Sequence, residues 1–241
     1  MKSFGRAILA PFNYFIDFLA PKYCLVCEDL LNTENQIEKL TFICKSCFYL
    51  LDAAPQSDEI LNRMFEHFHP DDISITNAYA LYKIHEKNFI EIIHNLKYYK
   101  LWKIGYEFGL LLGEKIVKNS DVQYDAVVAV PIHIAKIRER GYNQSDYIAK
   151  GVCEILNVAN FSKFVVRQRY TTSQTLLNSQ ERKRNIEGAY KIDKKASYIF
   201  ENKRILIVDD VFTTGSTINH LGNVLLNHGA KQVDCATLGV A

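Results

Sequence analysis

Residues 204–217 read RILIVDDVFTTGST. An aliphatic run ends in two acids, Asp209 and Asp210, and Thr213, Thr214, Gly215, Ser216 and Thr217 follow almost at once. The run has the composition of a strand buried on both faces. The small hydroxyl residues open a helical pattern, STINHLGNVLLNHG, that closes on Gly229. A helix N-terminus offers backbone N–H donors to an anion, and a glycine there lets the backbone come close. The stretch is neither a Walker loop nor a dinucleotide fingerprint, because G-x-x-x-x-G-K-[ST] and G-x-G-x-x-G are both absent. Two carboxylates beside an anion site cannot serve the anion. They are acceptors suited to hydroxyls or to a hydrated Mg²⁺. A ribose 5-phosphate fits both halves, with its phosphate on the loop and its 2- and 3-hydroxyls on Asp209 and Asp210.

Working outward, apolar runs alternate with helical patterns. AYALY (78–82), YDAVVAVP (124–131), KFVVRQR (163–169), RILIVDD (204–210) and KQVDCATLGVA (231–241) read as strands. NFIEIIHNLKYY (88–99), with Ile90, Ile93 and Leu96 or Lys97 on its turns, reads as a helix, as do 102–119, 144–157 and 216–229. Strands alternating with helices predict an α/β fold with a mainly parallel, doubly wound sheet. Ligands of such sheets bind beyond the carboxyl ends of the strands. VDDVFTTGST and VPIHIAKIRERGYNQ (130–144) both fall there.

The N-terminal part carries a different chemistry. Cys24 and Cys27, then Cys44 and Cys47, form two C-x-x-C pairs separated by sixteen residues. Each pair makes a turn able to aim two thiolates at one ion, and two such turns complete a tetrahedron around zinc. A closed four-sulfur site leaves no position for substrate, so the zinc is expected to be structural. Paired disulfides would require an oxidising compartment, and a redox C-x-x-C needs only one pair. Cys153 and Cys235 read as small core residues. Residues 1–55 are expected to form an N-terminal helix and zinc ribbon, 56–74 a linker, and 75–241 the sheet domain.

Composition bounds the rest. A chain of 241 residues with 48% hydrophobic residues can bury a sizeable core, and a formal charge of +2 gives no global pull toward nucleic acid or membrane. The opening MKSFGRAILAPFNYFIDFLAP has apolar residues at helical spacing, but its apolar stretch is too short for a secretory signal or a membrane span. A cytoplasmic protein with reduced thiols is the expectation.

ILIVDDVFTTGST resembles the phosphoribosyl pyrophosphate (PRPP) binding motif of type I phosphoribosyltransferases. LKYYK (96–100), VPIHIAKIRERGYNQ, SQTLLNSQERKRNIEGAY (173–190) and the PRPP loop, in that order, resemble the blocks of the ComF family. Its members join a four-cysteine zinc ribbon to a phosphoribosyltransferase domain. The resemblance implies a type I phosphoribosyltransferase fold that binds PRPP with Mg²⁺. Lys136, Arg138 and Arg140 would meet the diphosphate, with Lys97 as a further cation. Tyr142, Asn143 and Gln144 match the family's aromatic-Asn-Gln, with no role beyond fixing their loop. SQERKRNIEG (179–188) lies where such enzymes carry a mobile catalytic loop, and Arg182, Lys183 and Arg184 would close over the departing pyrophosphate.

Two functions remain open at this point. One is transfer of ribose 5-phosphate to an unknown nitrogen acceptor, with Asp209, Asp210, Arg182 and Arg184 as the catalytic groups. The other is a non-catalytic module that senses PRPP or binds single-stranded DNA. Lys163, Arg167, Arg169 and Arg182–Arg184, interleaved with Phe164 and Tyr170, would supply charge and stacking. The family's link to natural competence makes competence proteins further expected partners.

Overall fold

The computed structural model describes residues 21–84, 87–168, 188–193 and 196–241. The expected N-terminal helix lies outside them. So do Arg169, Tyr170, Arg182, Lys183 and Arg184, and most of the segment 173–190.

The chain divides into two compact units after Leu51. In the first, strands β1 (Gln36–Ile37) and β2 (Leu40–Cys44) pair antiparallel and lead into a short helix, α1 (Lys45–Tyr49).

The second unit is built on a five-stranded parallel sheet in the order β3-β9-β8-β4-β5. Its strands are β3 (Ala78–Lys83), β4 (Ala126–Ala129), β5 (Ala159–Asn160), β8 (Arg204–Phe212) and β9 (Gln232–Val240). A separate antiparallel pair is formed by β6 (Val165–Arg167) and β7 (Tyr190–Ile192). The helices are α2 (Ser57–Phe65), α3 (Lys87–Tyr98), α4 (Trp102–Asn119), α5 (Ile134–Arg140), α6 (Gln144–Leu156) and α7 (Ser216–Asn227). This is the mainly parallel α/β architecture that the alternation of strands and helices predicts.

The central strands read as unbroken apolar runs because both faces are covered. Ile205 and Ile207 of β8 join Ile218, Leu221 and Leu225 of α7 in one core cluster. Leu206 and Val208, which alternate with them, are equally buried. α6 packs on β4 and β8, and α4 packs on β3 and β9. α4 and α6 themselves approach backbone to backbone. A Cβ added at Gly109 would lie 2.3 Å from the Ile148 carbonyl oxygen, and one at Gly151 would lie 2.3 Å from that of Tyr106. Glycine is required at both positions, and this contact sets the depth at which α6 sits on the sheet.

Two local readings change. The stretch expected as a linker of loop and short helix does hold a helix, α2, but its Ile60 and Met64 are buried in the core cluster. Ala54 donates its N–H to Leu81, and the Ala78 N–H is accepted by the Ser57 hydroxyl at 2.8 Å. In α3 the buried face is Phe89, Ile92, Ile93 and Leu96, and Ile90 is exposed. Ile90 sits at the edge of the apolar arc, while Ile93 and Leu96, which the spacing also placed on it, are buried.

Candidate functional site

β8 runs past the end of β4. The β4 pairing with β8 ends at Ala129 opposite Val208, so Asp209 and Asp210 project at the carboxyl edge of the sheet. β9 still pairs alongside, with Thr237 opposite Asp209. The turn Thr213–Gly215 then opens α7, and Gly215 takes a left-handed φ of 71° as its N-terminal cap residue. A Cβ at Gly215 would lie 2.8 Å from the Phe212 ring and 2.9 Å from Met64, so both backbone conformation and packing demand glycine.

Asp209 and Thr213–Thr217 line one cavity of about 140 Å³. Ser216, Thr217 and Ile218 in its wall are the first residues of α7, whose N–H groups an α-helix leaves without intrahelical partners. The Thr214 hydroxyl accepts from the Ser216 N–H at 3.3 Å, a long contact. Anion donors and a carboxylate therefore share one small polar recess, as the sequence implied.

The protein already supplies donors to the two acids. Ser145 donates its hydroxyl to Asp209 at 2.8 Å, and the Asp210 N–H donates to the same Asp209 oxygen at 2.9 Å. Gln144 donates its amide to Asp210 at 3.0 Å, and the Lys97 ammonium pairs with the same Asp210 oxygen at 3.0 Å. Burial and the neighbouring Asp210 charge raise the pKa of Asp209 to about 7, against the hydrogen bonds and the Lys97 charge.

These donors come from two elements. Lys97 lies in the last turn of α3. Gln144 and Ser145 open α6, which Asn143 caps by accepting from the Ser145 N–H at 3.3 Å. Asn143 also donates to the Val130 carbonyl at 3.1 Å, tying the helix start to the end of β4. Tyr142 donates its hydroxyl to the Leu96 carbonyl, next to Lys97. The Tyr-Asn-Gln-Ser sequence thus holds both the loop and the acids. Ser145 was missed, and Gln144 had been given no direct contact with an acid. Both are common residues whose partners lie more than sixty positions away, so no local signal marks them.

The cations divide. Burial lowers the pKa of Lys136, and the charges of Arg140, Arg167 and Lys97 lower it further. Lys97, Lys136 and Arg140 therefore share one positive field. Arg140 donates to Gln144 at 3.2 Å, and its guanidinium lies 5.4 Å from the centre of the Tyr98 ring. Arg138 is exposed on α5, and none of the described contacts joins it to the acids.

In the first unit, the sulfur atoms of Cys24, Cys27, Cys44 and Cys47 lie within 4.8 Å of one another. The Cys27 and Cys44 sulfurs are 3.8 Å apart, close to the edge of a tetrahedron with zinc–sulfur bonds of about 2.3 Å. The Cys44 N–H points at Cys24 sulfur and the Cys47 N–H at Cys44 sulfur, each at 3.4 Å. Burial opposes ionisation of Cys24, but backbone donors from Cys27, Cys44 and Val26 outweigh it and bring its pKa to about 7. Burial and neighbouring sulfurs push Cys27 up to about 11 and Cys47 higher still. Four thiolates at this spacing need a cation, and the donor set fits zinc.

Among the described residues, no helix is long and apolar enough to cross a membrane.

Residues 134–239 match the phosphoribosyl transferase domain family. The chain is 32% identical over 155 residues to the DNA utilization protein YhgH of Escherichia coli K12, a match covering 61% of this chain and 66% of that protein. It therefore spans just under two thirds of that relative's length. It is 30% identical over 109 residues to competence protein F of Haemophilus influenzae, covering 45% of this chain and 47% of the relative. It is 27% identical over 131 residues to competence protein ComFC of Streptococcus pneumoniae, covering 54% of each.

Proposed function

Because the chain belongs to the ComF family, with a phosphoribosyl transferase domain behind a four-cysteine unit, we propose that it binds PRPP at the carboxyl edge of its sheet. The observation that carries this reading is the shared recess of Asp209 and Thr213–Thr217. The 5-phosphate would take the N–H donors and hydroxyls of the loop. Asp209 and Asp210 would accept from the ribose hydroxyls, displacing Ser145, Gln144 and Lys97 from their present partners. Lys97, Lys136 and Arg140 would turn to the diphosphate, with Arg138 as an outer contact. Mg²⁺ bound to the diphosphate would neutralise its charge, and two hard carboxylates nearby suit that ion.

The reaction this arrangement favours is transfer of ribose 5-phosphate to a nitrogen nucleophile with release of pyrophosphate. Positive charge developing on the ribose would be met by the carboxylates, and negative charge on the leaving diphosphate by the cations. Arg182 and Arg184 are proposed to close over the departing group. The protein's setting would be cytoplasmic, in the use or uptake of DNA, in keeping with the names of its relatives.

The deciding experiment is calorimetric titration of PRPP with Mg²⁺ into the full chain and into Asp209→Asn/Asp210→Asn. Saturable binding, lost in the variant, is expected. A folded, zinc-loaded wild type that binds nothing would leave the motif as scaffold only.

A second reading, a surface for single-stranded DNA, draws on exposed aromatics among cations. Tyr98, Tyr99 and Trp102 are about half exposed or more, interleaved with Lys97, Lys100 and Lys103. A steep salt dependence of oligonucleotide binding supports it, and none detectable at low salt removes it.

A further inference from the structure

A second, larger cavity of about 710 Å³ opens on the other side of β4. It lies within the range of small-ligand sites, roughly 300–1,000 Å³. One stripe of α6, formed by its cap Asn143 with Asp146, Tyr147 and Lys150, makes one wall. The spacing of those residues is the helical i, i+3, i+4, i+7. Ile134 and Ile137 of α5 face them, and Val165, Val166 and Arg167 of β6 close the side.

The lining has two characters. Its area is mostly apolar and includes the tyrosine Tyr147, whose ring already packs against Trp102 at 5.2 Å and Tyr142 at 5.5 Å and is approached by Lys150 at 4.5 Å. Ile134 and Val166 are about half exposed, so the apolar walls are open to a ligand. The charged groups are three cations, Lys150, Lys163 and Arg167, against one carboxylate, Asp146. Lys163 lies 4.9 Å from the Phe164 ring and Arg167 5.6 Å from the Tyr190 ring, so both are held extended over aromatic faces. Asn160 is a further polar group in the wall. Its side-chain oxygen accepts from the Ser162 N–H at 2.9 Å, which turns its amide nitrogen to other partners as a donor.

A flat heterocycle with a phosphate answers both characters. We infer that this cavity is a nucleotide site separate from the PRPP recess, taking a free nucleoside monophosphate. The base lies against the aliphatic walls of Ile134, Ile137 and Val166, with the Asp146 carboxylate and the Asn160 amide available to its polar edge. The phosphate meets Lys150, Lys163 and Arg167. The two sites share a structural element: the first turn of α6 turns Asn143, Asp146 and Tyr147 to this cavity and Gln144 and Ser145 to the two acids.

The test is titration of the full chain with the ribonucleoside 5′-monophosphates, followed by calorimetry. Wild type is expected to bind at least one of them saturably. Lys150→Glu/Lys163→Glu and Val166→Trp change exposed positions and are checked by thermal melting. Each is expected to weaken binding by at least about tenfold while PRPP binding is retained. Asp209→Asn/Asp210→Asn is expected to keep nucleotide binding within about twofold, an outcome that stands even if PRPP does not bind. No saturable binding in the millimolar range overturns the inference. So does loss in the aspartate variant, which would assign the nucleotide to the PRPP recess. Binding of oligonucleotides but not of monophosphates also overturns it, in favour of a strand-binding face.

Discussion

The four-cysteine unit and the acidic edge of the sheet pose the same electrostatic problem and solve it differently. Each gathers groups that repel one another once ionised. Around the cysteines, the described hydrogen bonds to sulfur come mainly from backbone N–H groups, and the raised pKa values of Cys27 and Cys47 show that these do not suffice. The four sulfurs are positioned for a metal to complete the cluster from outside. At the sheet edge the fold itself provides a hydroxyl, an amide and an ammonium, from Ser145, Gln144 and Lys97. The first region is expected to depend on a metal for its fold. The second is folded before its ligand arrives, and the ligand must take over bonds already made.

The largest expected effect tests the first half of that contrast. Chelation of the metal, or Cys44→Ser, should unfold residues 21–51 and leave 52–241 folded, because structural zinc contributes an apparent ~10–16 kcal/mol to small metal-dependent units. Limited proteolysis with metal analysis reads this out. A first unit that stays resistant after the metal is removed would break the comparison.

Gly215→Ala tests the second half. The added methyl would meet Phe212 and Met64 while φ stays positive. Conformational strain of about 1–2 kcal/mol and overpacking of about 1–3 kcal/mol should lower the melting temperature of the second unit. An unchanged melting temperature would mean that the loop is not held in this conformation.

Lys97→Met sharpens the comparison at one contact. Lys97 is about a quarter exposed, so its loss should cost about 2 kcal/mol, less than the ~3–5 kcal/mol typical of a fully buried pair. Asp210→Asn in the same chain should restore part of that stability, because the unpaired charge goes with it. A double-mutant cycle with no coupling would show that the two side chains act independently.

A further test of the acidic edge is its pH dependence. The pKa of Asp209 rises from an unfolded value near 3.9 to about 7, by burial and by the Asp210 charge. Between these values the folded chain holds a proton that the unfolded chain has lost. The stabilisation is therefore full below about pH 4 and is lost as pH rises through about 7. Asp209→Asn should flatten this slope and raise stability at pH 8 more than at pH 4. Parallel melting curves for the two proteins would refute the assignment.

How far the sequence could be read depended on the range of the forces involved. β8, the acid pair, the anion loop and α7 are contiguous, and strand composition, turn chemistry and helix start all act within a few residues. The two C-x-x-C pairs are legible for the same reason, since each turn needs only local geometry. The short helix α2 was legible but its burial was not, because a short polar segment declares its buried Ile60 and Met64 only when the sheet is there to receive them. In α3 the spacing found Ile93 and Leu96 on the buried face and misplaced Ile90, which lies at the edge of the apolar arc.

The sequence by itself determined the alternation of elements, a hydroxyl-rich helix start beside two acids, and four cysteines placed to hold a metal. Only the tertiary structure decided which side chains hold those acids. Lys97, Gln144 and Ser145 reach them across separations of 113, 66 and 64 positions. Such meetings follow from the order of strands in the sheet and from the depth at which α4 and α6 pack. Both are set by burial summed over the whole domain, and no stretch of chain carries that sum alone.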